Sequence, residues 1–429
     1  MPRTVVVTLI ASLTTVTACS SEDRAAAPTE GESQATESPA AADSATETQA
    51  LMGDVAARTT AAPSAAADSS PTTGRPSASA AASSPTSTAV AAPAVDTDAV
   101  PAPLAGLAEG LYAEGQVSMS DAVRRALGER TVADLAARVE VAGATGEWKG
   151  TGIAVLTSGE DVTLAVEADG GWQIVGGWWP SLGVDQPVLG GARHMLFLGS
   201  DARPGEAVDR ARADTIQVVG VDGRGGGGVM GIARDSWVTM PSGGKAKINA
   251  AMVEAGPAGQ QSTVAAATGL PIEGYLLTSF EGLTGLVNGL GGVPVDAPRR
   301  VLQVPAGNSV LDGKTALRYS RERKTVPGGD FGRSRHQGVV LLGMAAMARE
   351  QGPKGLPAIL STASPHVLSN VSAAQALTFG ANAYVVSPGQ VGTSVAKGGF
   401  GWSDDGQSIV LLDGAAYDDF ADFADGNLD

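Results

Sequence analysis

The chain has 429 residues and a formal net charge of −16, from 29 Lys and Arg against 45 Asp and Glu. The length predicts two or three domains. Only 17% of the residues are charged and 4% are aromatic, although 43% are hydrophobic, which indicates that a low-complexity segment dilutes a globular part. The acidic balance argues against a nucleic-acid-binding protein, which needs a basic surface. One cysteine excludes a disulfide framework, and three histidines argue against a His-rich metal site.

The first residues have the pattern of a bacterial secretion signal. Arg3 precedes an apolar run, Val5 to Val16, that is too short to span a membrane. The run ends in Val16-Thr17-Ala18-Cys19, which matches a lipobox, in which small residues precede a cysteine that receives a diacylglycerol. An ordinary signal peptide with an incidental cysteine is the alternative. Because Cys19 is the only cysteine, we expect residues 1–18 to be a lipoprotein signal peptide and Cys19 to be the lipid anchor.

Residues 19–103 consist mainly of Ala, Ser, Thr and Pro, with very few large apolar side chains. Such a segment buries too little surface to offset its chain entropy, so we predict a disordered tether. With the lipid anchor, the tether places the rest of the chain outside the cell membrane, in the cell-wall space.

Residues 104–190 have the pattern of a small α+β accessory domain. Ser118 to Asp121 opens a helix, and a second short helix is predicted over Val132–Arg138. Strands are predicted over Arg138–Ala142, Gly152–Thr157, Asp161–Val166 and Trp172–Val175. Trp178 and Trp179 fit an exposed platform for sugars, but a core or domain-interface position is the favoured interpretation.

Beyond His194, three strand-like runs each carry an aspartate and an arginine at one end. These ends are Ser200-Asp201-Ala202-Arg203, Arg212-Ala213-Asp214 and Ala233-Arg234-Asp235. Two later segments, Tyr319–Arg323 and Asp330–Gln337, add further arginines to a chain that is acidic overall.

This concentration of arginines predicts an anionic ligand. Planar guanidinium groups bind phosphate oxygens in pairs, and several together are suited to a pyrophosphate. Asp201 and Asp214 would repel that anion unless a hard cation lay between them, which indicates Mg²⁺ or Mn²⁺. A surface network of weak Asp–Arg ion pairs is the alternative, although the strand-end positions favour a site.

The segments occur in the order typical of one family, and the chain from His194 to Asn427 resembles the LytR-CpsA-Psr family of Gram-positive and actinobacterial envelope proteins. The matching pieces are Leu198–Arg203, Arg212–Thr215, Arg234–Asp235, Lys247–Ala251, Leu290–Val295, Leu311–Arg323, Asp330–Arg333 and Gln337. Each piece alone is a weak signal, whereas all of them in order form a strong one.

The resemblance implies the fold and the activity of residues 191–429. The fold expected is a three-layer α-β-α domain with a central mixed sheet. The activity expected is transfer of a glycopolymer from a polyprenyl-pyrophosphate carrier to a peptidoglycan hydroxyl, with pyrophosphatase activity as a further expectation. The lipid would lie in an apolar tunnel. Nucleic acid is not an expected partner, and a composition typical of GC-rich actinobacteria makes arabinogalactan a candidate glycan.

The resemblance also implies roles for individual residues. Asp201 and Asp214 would hold Mg²⁺ or Mn²⁺. Asp330, Arg234 and Arg333 would form the catalytic group, with Asp330 orienting an arginine or assisting the acceptor hydroxyl. The pyrophosphate would be bound by Arg203, Arg212, Arg234, Lys247, Arg321, Arg323, Arg333 and Gln337. Phe280, Leu283, Leu286, Val287 and Leu290, an apolar stripe at helical spacing, would line the lipid tunnel, with a plain core role as the alternative.

Two departures from the family pattern leave a second function open. Ala233 stands where a proline is usual, and His336 stands where an arginine usually precedes the glutamine. Arg335 lies one residue earlier, and on a helix one residue turns the side chain by about 100°. The alternative function is a polyprenyl-pyrophosphate-binding regulatory lipoprotein with little turnover. A purely structural wall lipoprotein is disfavoured by the ordered motifs.

Overall fold

The computed structural model describes residues 93–113, 115–128 and 135–428. The predicted signal peptide, Cys19 and the predicted tether up to residue 92 lie outside the described residues. The described residues fall within one compact unit, Pro85–Asp429. None of the helices described is both long enough and apolar enough to cross a membrane.

The first sheet occupies the predicted accessory region. Its strands, in spatial order, are β1 Ala94–Ala99, β2 Arg138–Trp148, β3 Thr151–Ser158, β4 Asp161–Ala168, β5 Gly171–Trp179 and β6 Val184–Val188. The strands pair in antiparallel fashion except β1 and β2, which are parallel. Helices α1 Ala105–Tyr112 and α2 Asp121–Leu127 pack on this sheet through a shared apolar core.

The predicted accessory strands are confirmed, with two corrections at their margins. The predicted tether end at residue 103 is wrong, because β1 lies inside that segment and gains its backbone partners from β2. The predicted helix Val132–Arg138 lies partly outside the described residues, and its last residue, Arg138, begins β2. Helix α2 starts as predicted, with the Ser120 hydroxyl accepting a hydrogen bond from the Val123 amide.

The two adjacent tryptophans belong to the interior, as the favoured interpretation predicts. The Trp179 side chain is fully buried, and its indole N–H donates to the Thr163 hydroxyl at 2.8 Å. Trp178 is partly buried against the apolar cluster that the first sheet shares with the rest of the unit.

The remaining elements follow in chain order. The strands are β7 Arg193–Ser200, β8 Ala213–Val221, β9 Gly227–Gly231, β10 Trp237–Thr239, β11 Lys245–Lys247, β12 Ile272–Thr278, β13 Val293–Ala297, β14 Gly307–Leu311, β15 Leu368–Ser369, β16 Val391–Val395, β17 Gly398–Trp402 and β18 Ser408–Leu412. The helices are α3 Ala251–Thr268, α4 Phe280–Gly289, α5 Gly313–Arg321, α6 Asp330–Gln351, α7 Leu356–Ala363, α8 Ala373–Val385 and α9 Gly414–Asp422.

The second sheet is mixed, as predicted. Its described strands have the order β15-β12-β7-β8-β9-β16. Strand β12 is parallel to β7 and β16 is parallel to β9, whereas β7, β8 and β9 are antiparallel to one another. Three hairpin-like pairs lie outside this sheet: β10 with β11, β13 with β14, and β17 with β18.

Side chains alternate across the second sheet and form its two helix-covered faces. Leu196 and Leu198 point to a closed core that includes residues of α3 and α9. Met195 and Phe197 point to the opposite face, which α4, α6, α7 and α8 cover. The three-layer α-β-α arrangement is therefore confirmed, and the second face is the one that holds a cavity.

Helix α6 approaches β13 too closely to accept a larger residue at Gly343. A Cβ atom there would lie 1.9 Å from the Pro294 carbonyl oxygen. We expect Gly343→Ala to destabilise the fold by about 1–3 kcal/mol, because the backbones must move apart. Gly106→Ala in α1 is the matched control, since a Cβ atom there meets no atom within 4 Å. Denaturant unfolding of both variants is the measurement, and equal stabilities would contradict this packing.

Candidate functional site

Two aspartates and two arginines meet where β7 ends and β8 begins. Gly199 pairs with Thr215 and Ser200 pairs with Ala213, so Asp214 is an extra residue in β8. Such a β-bulge redirects the side chain that it carries. Arg234 follows β9, and Asp330 begins α6.

The charged groups of this cluster are in direct contact. Arg234 Nη1 lies 2.5 Å from Asp214 Oδ2, and Arg333 Nη2 lies 2.7 Å from Asp330 Oδ1. Two longer ion pairs connect these pairs to each other: Arg333 Nη1 is 3.8 Å from Asp214 Oδ2, and Arg234 Nε is 3.7 Å from Asp330 Oδ1. The Arg333 side chain is only 8% exposed, so solvent screens this network far less than a surface ion pair.

Burial and neighbouring charges act against each other in this cluster. Burial raises the pKa of Asp330, and the opposing effect of Arg333 and Arg234 does not cancel that rise. Burial likewise lowers the pKa of Arg333. For Arg234 burial also acts to lower the pKa, but the carboxylates around it outweigh burial and raise the pKa overall. Asp330 is thus a carboxylate of raised basicity next to two guanidinium groups.

A second layer of polar groups supports the cluster. Lys247 Nζ lies 3.1 Å from Asp235 Oδ1, and the Asn249 amide donates to Asp214 Oδ1 at 3.4 Å. Lys247, a predicted pyrophosphate ligand, therefore lies beside the cluster and is paired with Asp235. The sequence motifs contained Asp235 and Asn249 without indicating these contacts.

An apolar cavity of about 360 Å³ lies beside the cluster, between the second sheet and helices α4 to α8. Its lining is overwhelmingly aliphatic and aromatic, and the polar residues Ser200, Thr215, Ser320, Arg321 and Gln337 lie at the end of β7 that carries the cluster. The cavity therefore offers an apolar lining with positive charge at one end, which suits an apolar chain with an anionic head group.

Four of the five predicted tunnel residues line this cavity: Phe280, Leu283, Leu286 and Leu290. Val287 packs instead into the core formed with β13 and β14, so its predicted place in the tunnel is wrong. The reason is helical rotation, because Val287 follows Leu286 and points about 100° away from it. Helix α6 supplies further lining residues: Val340, Leu341, Leu342, Met344 and Met347.

Arg321 and Arg323 both lie near the site. Arg321 ends α5, lines the cavity, and holds its guanidinium carbon 4.1 Å from the centre of the Phe280 ring. Arg323 is exposed, and its positive charge contributes to lowering the pKa of Arg333.

Gln337 belongs to a buried amide network that the sequence did not reveal. The Gln217 amide N–H donates to Gln337 Oε1 at 3.3 Å and to the Ser334 carbonyl oxygen at 3.0 Å. Gln217 is only 1% exposed, so this network fixes the side chain of Gln337 at the cavity wall.

Other predicted ligands lie around the rim. Arg203 and Arg212 are exposed, and the Arg212 backbone amide donates to Asp201 Oδ1 at 2.9 Å. Asp201 follows the last residue of β7 and is thus adjacent to the bulge at Asp214. Within the described residues, no group of three or more His, Cys, Asp or Glu side chains is placed to hold a metal ion.

His336 occupies a different place from the arginine that the family pattern has there. Its ring is buried and stacks on Tyr319, with ring centres 4.6 Å apart. Arg335 is exposed, as the rotation of one residue along α6 predicts. His336 therefore fills the core behind the cluster and contributes no guanidinium group.

The sequence analysis also did not predict that aromatic side chains of β17 lie near the site. Phe331, next to Asp330, contacts Phe400 of β17 edge to face at 5.9 Å between ring centres. Phe400 and Trp402 are 76% and 77% exposed. The Val410 amide of β18 donates to the Asp235 carbonyl oxygen, which joins the hairpin to the site. Nothing in the local pattern of this Gly-rich segment indicated its position, because the contact is long-range.

The buried histidine should make stability depend on pH. Burial lowers the pKa of His336 from its usual 6.5, so below that pH the unfolded chain binds a proton that the folded chain resists. Stability from this residue is complete above pH 6.5 and is lost as pH falls towards the folded pKa. We expect His336→Phe, which keeps the ring on Tyr319, to flatten this loss by up to about 1.4 kcal/mol per pH unit.

Urea unfolding between pH 7 and pH 5 measures this effect. The wild-type chain also carries buried His194, whose pKa burial lowers too, so part of the slope should remain in the variant. Parallel stability curves for the two proteins would show that His336 is protonated equally in the folded and unfolded states.

Comparisons with known proteins bear on this site. A sequence model of the LytR_cpsA_psr family matches residues 184–422. The probable cell wall biosynthesis protein LcpB of Corynebacterium glutamicum is 36% identical over 153 residues, covering 32% of this chain and 37% of that protein. The polyisoprenyl-teichoic acid–peptidoglycan teichoic acid transferase TagU of Enterococcus faecalis is 35% identical over 156 residues, covering 35% of this chain and 52% of that protein.

Solved structures were also compared. The crystal structure of TagV from B. subtilis is 24% identical, covers 55% of this chain and 96% of that chain, and gives a TM-score of 0.48. The alignments with LcpB and TagU span roughly a third to a half of those relatives. Since the family match covers more than half of the sequence and includes every segment of the charged cluster, the chain belongs to the LytR-CpsA-Psr family.

Proposed function

We propose that this protein transfers a phosphoglycan from a polyprenyl-pyrophosphate carrier to a hydroxyl group of peptidoglycan. One observation carries the proposal: a partly buried arginine–aspartate cluster lies next to residues that line an apolar cavity. The arginines suit a pyrophosphate and the cavity suits a prenyl chain. The printed name of TagU, a polyisoprenyl-teichoic acid–peptidoglycan teichoic acid transferase, describes the same class of reaction for a relative.

The reaction that fits this geometry is a phosphoryl transfer. The acceptor hydroxyl oxygen attacks the phosphorus that carries the glycan, a new P–O bond forms, and the bond to the bridging oxygen of the pyrophosphate breaks. Polyprenyl phosphate leaves with that oxygen, and the hydroxyl proton passes to a base. Such a step needs positioning and charge neutralisation more than covalent participation. Arg234 and Arg333 would supply the positive charge, with Arg321 and Arg323 at the rim.

Asp330 is the residue placed to accept the proton. Burial raises its pKa, which brings a carboxylate closer to the basicity that proton transfer near neutral pH requires. Its Oδ1 also lies 2.7 Å from Arg333 Nη2, so Asp330 holds that guanidinium in place. Asp330 can do both, because Oδ1 contacts Arg333 while the other carboxylate oxygen, Oδ2, can accept the proton.

A divalent cation is part of the proposal. Magnesium is commonly held by one or two carboxylates together with substrate phosphates and water, so a pair of carboxylates suits it. Asp201 and Asp214 would hold Mg²⁺ or Mn²⁺, which would supply further neutralisation of the phosphate charge. The bulge in β8 turns Asp214 towards the cluster, next to the end of β7 from which Asp201 follows.

The proposal includes attachment to the outer face of the cell membrane through a lipidated Cys19. That position would bring the cavity to a carrier lipid in the same membrane and to peptidoglycan in the cell wall. The segment between Cys19 and the first sheet would serve as the spacer, and residues 94–188 as an accessory domain.

A second function, binding of the same lipid with little turnover, is favoured by one observation. His336 is buried against Tyr319, where the family pattern has an arginine. The loss of one guanidinium group would reduce charge neutralisation more in the transition state than in the bound ground state.

Replacing Asp330 separates turnover from binding. We expect Asp330→Asn to lower the transfer rate by about 10²–10⁴, and wild-type activity to fall as pH drops through the raised pKa of Asp330. The acidic limb should be absent in the variant, while polyprenyl-pyrophosphate binding persists. The control is Asp296→Asn, which changes an exposed carboxylate on β13.

The assay uses a polyprenyl-pyrophosphate-linked glycan with peptidoglycan fragments or water as acceptor, and it measures released polyprenyl phosphate. Tight donor binding without release by the wild-type protein would favour the regulatory function. An unchanged pH profile in Asp330→Asn would assign Asp330 to positioning Arg333 alone.

Replacing the rim arginines tests the pyrophosphate contact. Lysine keeps the charge but loses the planar fork, and a charge-assisted hydrogen bond contributes about 1.5–3 kcal/mol. We therefore expect Arg321→Lys and Arg323→Lys each to weaken geranylgeranyl pyrophosphate binding about tenfold or more. Arg335→Lys, an exposed position on α6, should bind like wild type. Equal affinities in all these proteins would remove Arg321 and Arg323 from the site.

A further inference from the structure

The first sheet contributes a side chain to the apolar cavity of the second. Trp148, the last residue of β2, is only 1% exposed and lines that cavity. Its indole N–H donates to the Val371 carbonyl oxygen at 2.9 Å, which fixes the orientation of the ring. The family match begins at residue 184, so Trp148 lies outside it.

Trp148 lies at the opposite end of the cavity from the charged cluster of Asp214, Arg234, Asp330 and Arg333. It belongs to the apolar cluster of Met195 and Val371, and Met195 stands five residues before Ser200 along β7. At about 3.3 Å per residue, this separation is roughly 17 Å. Ser200 lines the end of the cavity that carries the charged cluster. The indole ring is therefore a wall at the far end of the cavity.

The hairpin that carries Trp148 is held tightly against α7, a helix that also lines the cavity. Lys149 Nζ donates to the carbonyl oxygens of Ser364 and Val367, and the Glu147 amide donates to the Ser361 hydroxyl at 2.7 Å. The backbones are so close that a Cβ atom on Gly146 would lie 2.4 Å from the Pro357 carbonyl oxygen. These contacts hold the hairpin, and with it Trp148, in a fixed position at the end of the cavity.

Helices α6 and α8, which pack on the second sheet, close the same end of the cavity on another side. Arg349, in the last turn of α6, lines the cavity and donates from Nε to the Ala383 carbonyl oxygen at 3.0 Å. It also donates to the Val386 carbonyl oxygen at the end of α8. Arg349 and Trp148 together limit the depth of the cavity.

We propose that Trp148 of the accessory sheet sets the length of prenyl chain that the cavity can bury. This inference rests on the proposed function, because it assumes that the cavity holds the lipid of a prenyl pyrophosphate. Each further methylene that is buried strengthens binding, so the affinity rises with chain length until the chain reaches the wall. Units beyond that point remain outside and add nothing.

The experiment measures the binding of prenyl pyrophosphates of increasing length, from geranyl to undecaprenyl, by equilibrium dialysis with radiolabelled ligand at a fixed detergent concentration. For the wild-type protein the affinity should rise with length and then level off. For Trp148→Ala the plateau should move to a longer chain, which should bind about tenfold or more tightly than it binds to wild type.

Two further variants make the result specific. Trp148→Leu keeps an apolar side chain and the packing of the hairpin, and it should move the plateau in the same direction by a smaller amount. Lys149→Ala removes the side-chain hydrogen bonds between the hairpin and the segment that follows α7, and Lys149 is not among the residues that line the cavity. Its plateau should coincide with that of wild type.

The outcomes separate this inference from the function on which it rests. Plateaus at the same length in wild type, Trp148→Ala and Trp148→Leu would overturn the role of Trp148 while leaving lipid binding intact. An equal shift in Lys149→Ala would also overturn it, because general loosening would then be the cause. If no prenyl pyrophosphate bound to the wild-type protein, that result would contradict both the proposed function and this inference.

Discussion

The chemistry of the site depends on opposite charges that are held together, partly out of solvent, beside an apolar cavity. Asp214, Arg234, Asp330 and Arg333 lie in one network in which each guanidinium group touches a carboxylate. Removing charges from water costs several kcal/mol per ion unless partners and hydrogen bonds replace the solvent. A network of this kind stabilises the fold weakly, and under the proposed function its role is to hold the two guanidinium groups in place for an anionic ligand.

The second sheet provides that arrangement by using its two faces differently. One face is packed solid against α3 and α9, which gives the strands a rigid support. The other face is covered by helices that leave a cavity between them and the sheet. Because β7, β8 and β9 end or begin at the same edge, the charged residues that flank them converge there, and the bulge in β8 turns Asp214 towards the others.

Much of the fold and of the charged site could be predicted from the sequence, because the patterns that encode these features are local. The accessory strands, the cap of α2 at Ser120 and the charged motifs at strand ends are each encoded within a few residues. The errors arose where the outcome depends on distant partners. Strand β1 forms because β2 supplies its backbone hydrogen-bond partners. Val287 does not line the cavity because it packs against the hairpin of β13 and β14. Trp148 and Phe400 reach the cavity and the site from remote segments.

A crystal structure with bound geranylgeranyl pyrophosphate would test the central claim most directly. The account predicts the two phosphates within hydrogen-bond distance of Arg234 and Arg333, and the prenyl chain between α4 and α6 on the Met195 face of the second sheet. A pyrophosphate bound elsewhere, with the contacts of Asp214 and Asp330 to these arginines unchanged and the cavity empty of the chain, would contradict it.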